Sequence, residues 1–156
     1  MRIDAYKITD EPTPGKLSSI AVSPIWPFIA IMFGGAWLSW GWTILNGMAV
    51  GSPTFRRELM WVIAGIIGSA ILLFVIFTAY EQGILQKDYL KYAILIVVAW
   101  KLGVAYVLFT LQSHTIELFE YFGGKLRNGI FVIIAVVLIP FSLNKSVPTF
   151  IYLIFS

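Results

Sequence analysis

One cation interrupts the apolar stretch AILIVVAWKLGVAYVLFTLQ, residues 93–112: Lys101 sits near its middle. An ammonium at the centre of a bilayer costs about 2.5–3.5 kcal/mol on insertion scales. Its stem reaches only about 6 Å, so it cannot fully extend from mid-depth to the headgroups. Three arrangements accommodate it. It faces a helix bundle and is satisfied by protein groups, it lines a hydrated cavity or pore, or its helix is shifted until the charge meets headgroups. At helical spacing Ile94, Val98, Lys101, Ala105, Leu108 and Gln112 share a face, and Gln112 is its only other strongly polar member. Ser69, in the preceding apolar run, is expected at the depth of Lys101 and is a candidate partner. No acid matches that depth, because Glu58 and Glu81 fall at the two ends of the same run. A counter-charge would come from another subunit, a lipid headgroup drawn inward, or water. The chemistry open to Lys101, Gln112 and Ser69 is therefore that of intramembrane polar residues: packing specificity, or a route for anions.

Other chemistries lack their parts. The single histidine, His114, lies beyond the end of the Lys101 run, at a different depth from Gly68-Ser69, so no serine–base pair forms. One histidine, no cysteine and no acid within a span supply no convergent metal site. The lack of cysteine also removes disulfides and iron–sulfur clusters. There is no phosphate-cradling glycine loop. The reading is of a protein that is not an enzyme, with no cofactor and no metal.

The elements that must position these residues follow from composition. The chain of 156 residues is 59% hydrophobic and 12% charged, about half the charged share of an ordinary soluble domain. Its apolar runs reach the length of about 18 or more residues that reads as a membrane span, and they do not alternate as barrel strands would. The fold class is all-α, a polytopic transmembrane helical bundle. Spans are expected over about 24–46, 53–81, 89–112 and 129–144, followed by a short apolar segment, 146–156. Pro140 and Pro148 bend the last stretch, and a re-entrant hairpin is its alternative form. The polar tail, 1–22, has no apolar core and does not read as a cleavable signal peptide. The transmembrane domain occupies 23–156. Residues 113–127, SHTIELFEYFGGKLR, read either as a short helix in the membrane interface or as a loop.

Small residues mark seams where helices approach closely. They are Gly34, Gly35 and Ser39 in the first span, Ala64 with Gly68 and Gly65 with Ser69 in the second, and Ala99 with Gly103 in the third. With four crossings, Arg2, Lys7, Lys16, Lys87 and Lys91 share one side, against Arg56, Arg57, Lys125 and Arg127 on the other. That near-balance tilts the N-terminus to the cytoplasm of a bacterial inner membrane.

The net charge of +3 is scattered and gives no nucleic-acid footprint. The expected partners are the lipid bilayer, copies of the chain or other membrane subunits, and a soluble component at the tail or loops. The leading functional expectation is a non-enzymatic assembly or partner-binding subunit of a membrane complex. The alternatives are a small oligomeric channel or transporter lined by Lys101, and a membrane-acting defence effector or toxin-immunity protein.

Overall fold

The computed structural model describes residue 12 and residues 15–138, and it is helical among them. A 3-10 turn, Lys16–Ile20, leads into α1 (Ile25–Val50), α2 (Phe55–Glu81), α3 (Lys87–Tyr121) and α4 (Ile130–Leu138). α1, α2 and α3 are each long and apolar enough to cross a membrane. Their outward faces carry large exposed apolar side chains such as Met32, Met60, Phe74 and Tyr106. That pattern suits a lipid surround, because in a bilayer apolar exposure has no cost and the backbone must be satisfied within the helix.

α1 does not use its length to cross. Val22 N–H donates to Asn46 Oδ1 at 2.9 Å, and Asn46 Nδ2 donates to Val22 O at 3.0 Å. Those residues are 24 apart in sequence, which in a straight helix would be about 36 Å. The reversal falls at Gly35, whose φ of 73° and ψ of −175° interrupt the helix. That combination is essentially confined to glycine. The arms 25–34 and 36–50 therefore form a helical hairpin that enters and leaves at the same end of the bundle. Two further packings agree. Trp26 and Trp42, one from each arm, both lie against Gly129. Phe28 stacks on Phe109 with ring centroids 5.5 Å apart, so the first arm runs beside α3.

The first expected span, 24–46, is thus a fold-back, with its reversal at the Gly34-Gly35 pair that the sequence suggested as a packing seam. The third continues past 112 to Tyr121. Of the segment 113–127 expected in the interface or as a loop, residues 113–121 are the last part of α3, where Ile116 and Phe119 bury against Ala21, Ala49 and Val50, and residues 122–127 are a loop. The expected fourth span is not supported among the described residues, where α4 runs for nine residues, about 13 Å of helix against a hydrocarbon thickness of about 30 Å. Residues 139–156, including the expected segment 146–156, lie outside the described residues.

The core is layered along α2 and α3. Ala36, Trp40, Val62, Val104 and Leu108 form one cluster, and Leu73, Ile76 and Val97 form another farther from the hairpin's entrance. The second-span seam is consumed inside this chain. A Cβ on Gly65 would stand 2.9 Å from the Trp40 ring, and one on Gly68 would stand 2.6 Å from the Trp100 indole. Ala64 is half-buried. Ala99 and Gly103 face outward, and nothing lies within 4 Å of a Cβ on Gly103. The Cβ of Gly34 would meet only Leu38 of its own helix, while Ser39 is buried.

Two measurements test this architecture. The chain lacks cysteine, so single cysteines at Ser19, Arg56 and Lys125 should be labelled from one side of the membrane and a cysteine at Gln86 from the other. Opposite-side labelling of Ser19→Cys and Arg56→Cys would mean that α1 crosses. Gly35→Ala should lower stability by about 1–3 kcal/mol through backbone strain. Gly41→Ala, with nothing within 4 Å of its Cβ, should be neutral or slightly stabilising in thermal unfolding.

Candidate functional site

The end of the bundle where the hairpin enters and leaves carries a buried polar network. Its centre is Glu58, which is fully buried one turn into α2. Oε1 accepts from Ser52 Oγ at 2.5 Å and from Thr54 Oγ1 at 2.9 Å. Oε2 accepts from Gln112 Nε2 at 2.8 Å. The carboxylate is thus held by neutral donors from the α1–α2 connector and from α3. The N-terminal end of α2 also favours a negative group through the helix dipole.

Gln112 joins the helices. Its Nε2 also donates to Thr43 O at 2.7 Å, and its Oε1 accepts from Asn46 Nδ2 at 3.2 Å. Asn46 then clips the backbone of Val22, and Ala21 O accepts from Arg127 N–H at 2.7 Å. Thr115 Oγ1 lies 3.4 Å from Ser52 Oγ and extends the network one turn along α3. An unbroken chain of hydrogen bonds therefore runs from α2 and α3 through the second arm of α1 to the segment before its first arm. Gly47 makes room for it, since a Cβ there would stand 2.5 Å from Glu58 Oε2 and 3.2 Å from Gln112 Nε2.

Lys101 and Ser69 form a separate layer. α2 and α3 run antiparallel, and Glu58 is bonded to Gln112. Eleven residues along α2 lead to Ser69 and eleven back along α3 lead to Lys101, each about 16 Å deeper. The two therefore share a depth, and both are buried. Ser69 Oγ and Trp40 Nε1 have no hydrogen-bond partner among the described residues. Val104, Leu108 and Trp40 pack between this layer and Gln112. The structure thus separates Lys101 and Ser69 from Gln112, although Lys101 and Gln112 share a helix face in sequence.

Glu58, Asn46, Ser52, Thr43, Thr115 and Gly47 were not singled out by sequence reasoning. Glu58 follows Arg56 and Arg57 and reads only as one end of the second apolar run. Asn46 reads as the polar end of a span. The available signal was that both stand within a turn or so of a capping-type segment, Gly51-Ser52-Pro53-Thr54, opposite an intramembrane glutamine. Among the described residues no group of three or more His, Cys, Asp or Glu converges to hold a metal.

Removing one partner from such a network orphans buried donors. Glu58→Ala should destabilise by at least about 1–3 kcal/mol, the cost of leaving a buried donor unsatisfied, and Glu58→Gln should cost less because it keeps an acceptor oxygen. Asn46→Leu should raise amide exchange over residues 16–30 while leaving α2 and α3 protected. Equal melting temperatures for Glu58→Ala and the parent would remove the network from its structural role. Comparison of the chain with protein-family models, with curated proteins and with solved structures gave no match, so the functional reading rests on this geometry.

Proposed function

We propose that this chain is a non-enzymatic integral membrane subunit that binds its partners at the end carrying the Glu58 network. The observation that carries the reading is that Gln112 is engaged by Glu58, Thr43 and Asn46. Its polar atoms serve to tie helices together. A route that needed Gln112 and Lys101 in one file would have to break those bonds and displace Trp40, Val104 and Leu108.

The same end offers features suited to recognition. A groove of about 390 Å³ lies between residues 18–19 and the loop after α3, lined by Ser18, Ser19, Phe119, Phe122 and Lys125 among others. The fold-back also changes the charge count. Among the described residues, Lys16, Arg56, Arg57, Lys125 and Arg127 belong to this end, whereas Lys87 and Lys91 belong to the end at the α2–α3 loop. Five against two favours this end on the cytoplasmic side, with the approach to α1 on that side as well. The unused small-residue pair Ala99 and Gly103, exposed on α3, suits contact with a second membrane helix.

The buried layer of Lys101 and Ser69 favours a second reading, a small channel or transporter. Its experiment also tests the first. Photo-crosslinkers at Ser19 and Phe122 should give discrete protein adducts in cells, and one at Tyr89 should not. Purified chain in proteoliposomes should pass no ions, and Lys101→Met should keep or raise stability by removing a costly ammonium. Anion flux that is lost in a folded Lys101→Met variant would replace the subunit reading with the channel.

A further inference from the structure

A second groove, of about 500 Å³, opens between the second arm of α1 and the segment leading into α4. That volume falls within the range of about 300–1,000 Å³ typical of small-molecule sites. Its walls are apolar, with Ile20, Leu45, Trp42 and Phe131 prominent among them. Its polar lining is confined to Asn46, Arg127 and Asn128. Asn46 is already committed to Val22 and Gln112, and Asn128 Oδ1 accepts from Ile130 N–H. Arg127 differs. Its backbone is fixed by the bridge to the Ala21–Val22 segment, while its exposed guanidinium forms no ion pair or hydrogen bond among the described residues.

We infer that this groove holds an anionic phospholipid, with the phosphate on Arg127 and the upper acyl chain along Trp42, Leu45 and Phe131. Three features favour that occupant. A groove with an apolar floor and one cation at its rim matches a molecule with an apolar tail and an anionic head. Guanidinium binds phosphate oxygens through two parallel hydrogen bonds, and an anionic headgroup has no ammonium of its own to neutralise that phosphate, as choline and ethanolamine headgroups do. Trp26 and Trp42, packed on Gly129, mark the headgroup level where indoles concentrate. The site also lies at the end richer in cations. In the orientation proposed above that end meets the cytoplasmic leaflet, where anionic lipids create a negative surface potential. The groove itself does not depend on the subunit reading, and the test below does not measure partner binding.

The test uses the full chain in mild detergent, with phosphatidylglycerol or phosphatidylcholine of matched acyl chains added. Native mass spectrometry should show phosphatidylglycerol retained at least tenfold more than phosphatidylcholine. Arg127→Gln should bring the two within about twofold, with its melting temperature in lipid-free detergent unchanged. Val132→Trp, which fills the groove, should lower retention of both lipids. Lys125→Gln, at the other groove, should keep the preference. Equal retention by the parent overturns the inference, as does a preference that survives Arg127→Gln. Competition by inorganic phosphate at the lipid's own concentration would assign the site to free phosphate instead. A crosslink from Leu45→Cys to residues 139–156 that added lipid does not reduce would mean that the chain itself covers the groove.

Discussion

A carboxylate taken out of water needs hydrogen-bond donors, and much of this structure follows from how Glu58 finds them. Burying such a polar group without partners would cost a large part of the stability of a domain. Ser52, Thr54 and Gln112 satisfy it. They come from two distant parts of the chain: two from either side of Pro53 in the connector and one from α3. The connector's geometry, the register between α2 and α3 and the seating of α1 are therefore coupled through one side chain. A shift of α3 by one residue would rotate Gln112 by about 100° away from Glu58.

The hairpin extends that coupling outward. A helix that ends inside a bilayer exposes unpaired backbone groups, which hydrocarbon does not tolerate unless protein covers them. Here the reversal at Gly35 lies about 12 Å in from Thr43, roughly half the depth of the hydrocarbon. Its second arm is sealed against α2 and α3 by Trp40, Val62, Val104 and Leu108. Asn46 supplies the matching closure at the entrance, where its amide both donates to and accepts from Val22. The arms are held together by these contacts with their neighbours, and the Val22–Asn46 pairing at the entrance fixes the hairpin's direction.

The two polar layers have different characters. At the entrance, donors and acceptors are matched to one another, so the layer specifies an arrangement. Deeper, Ser69 Oγ and Trp40 Nε1 lack partners among the described residues. Each sits beside well-packed apolar clusters, and a buried polar atom left unmatched costs about 1–3 kcal/mol. The chain retains polar groups at mid-depth where leucine or phenylalanine would pack without that penalty.

The sequence by itself determined that the chain is helical and apolar enough to enter a membrane, because run length and charge depletion are local properties that no tertiary contact alters. It also located α2 within a residue or two, since a serine–proline start and a polar end bracket a long apolar run. It placed Lys101 and Ser69 at one depth, because equal rises along antiparallel helices need only the pairing of their ends. Tertiary structure decided the rest. Gly34-Gly35 in the sequence reads as a packing seam, and only the Val22–Asn46 pairing shows the chain reversing there. That reversal moves the N-terminal side to the same end as Arg56 and Arg57, so a near-even charge count becomes an uneven one. Residues 113–127 read as an interfacial helix or a loop because their apolar positions show no partner in the sequence, and the partners of Ile116 and Phe119, namely Ala21, Ala49 and Val50, lie far away in sequence. Glu58 reads only as the end of a span for the same reason: its three donors converge only when the helices pack.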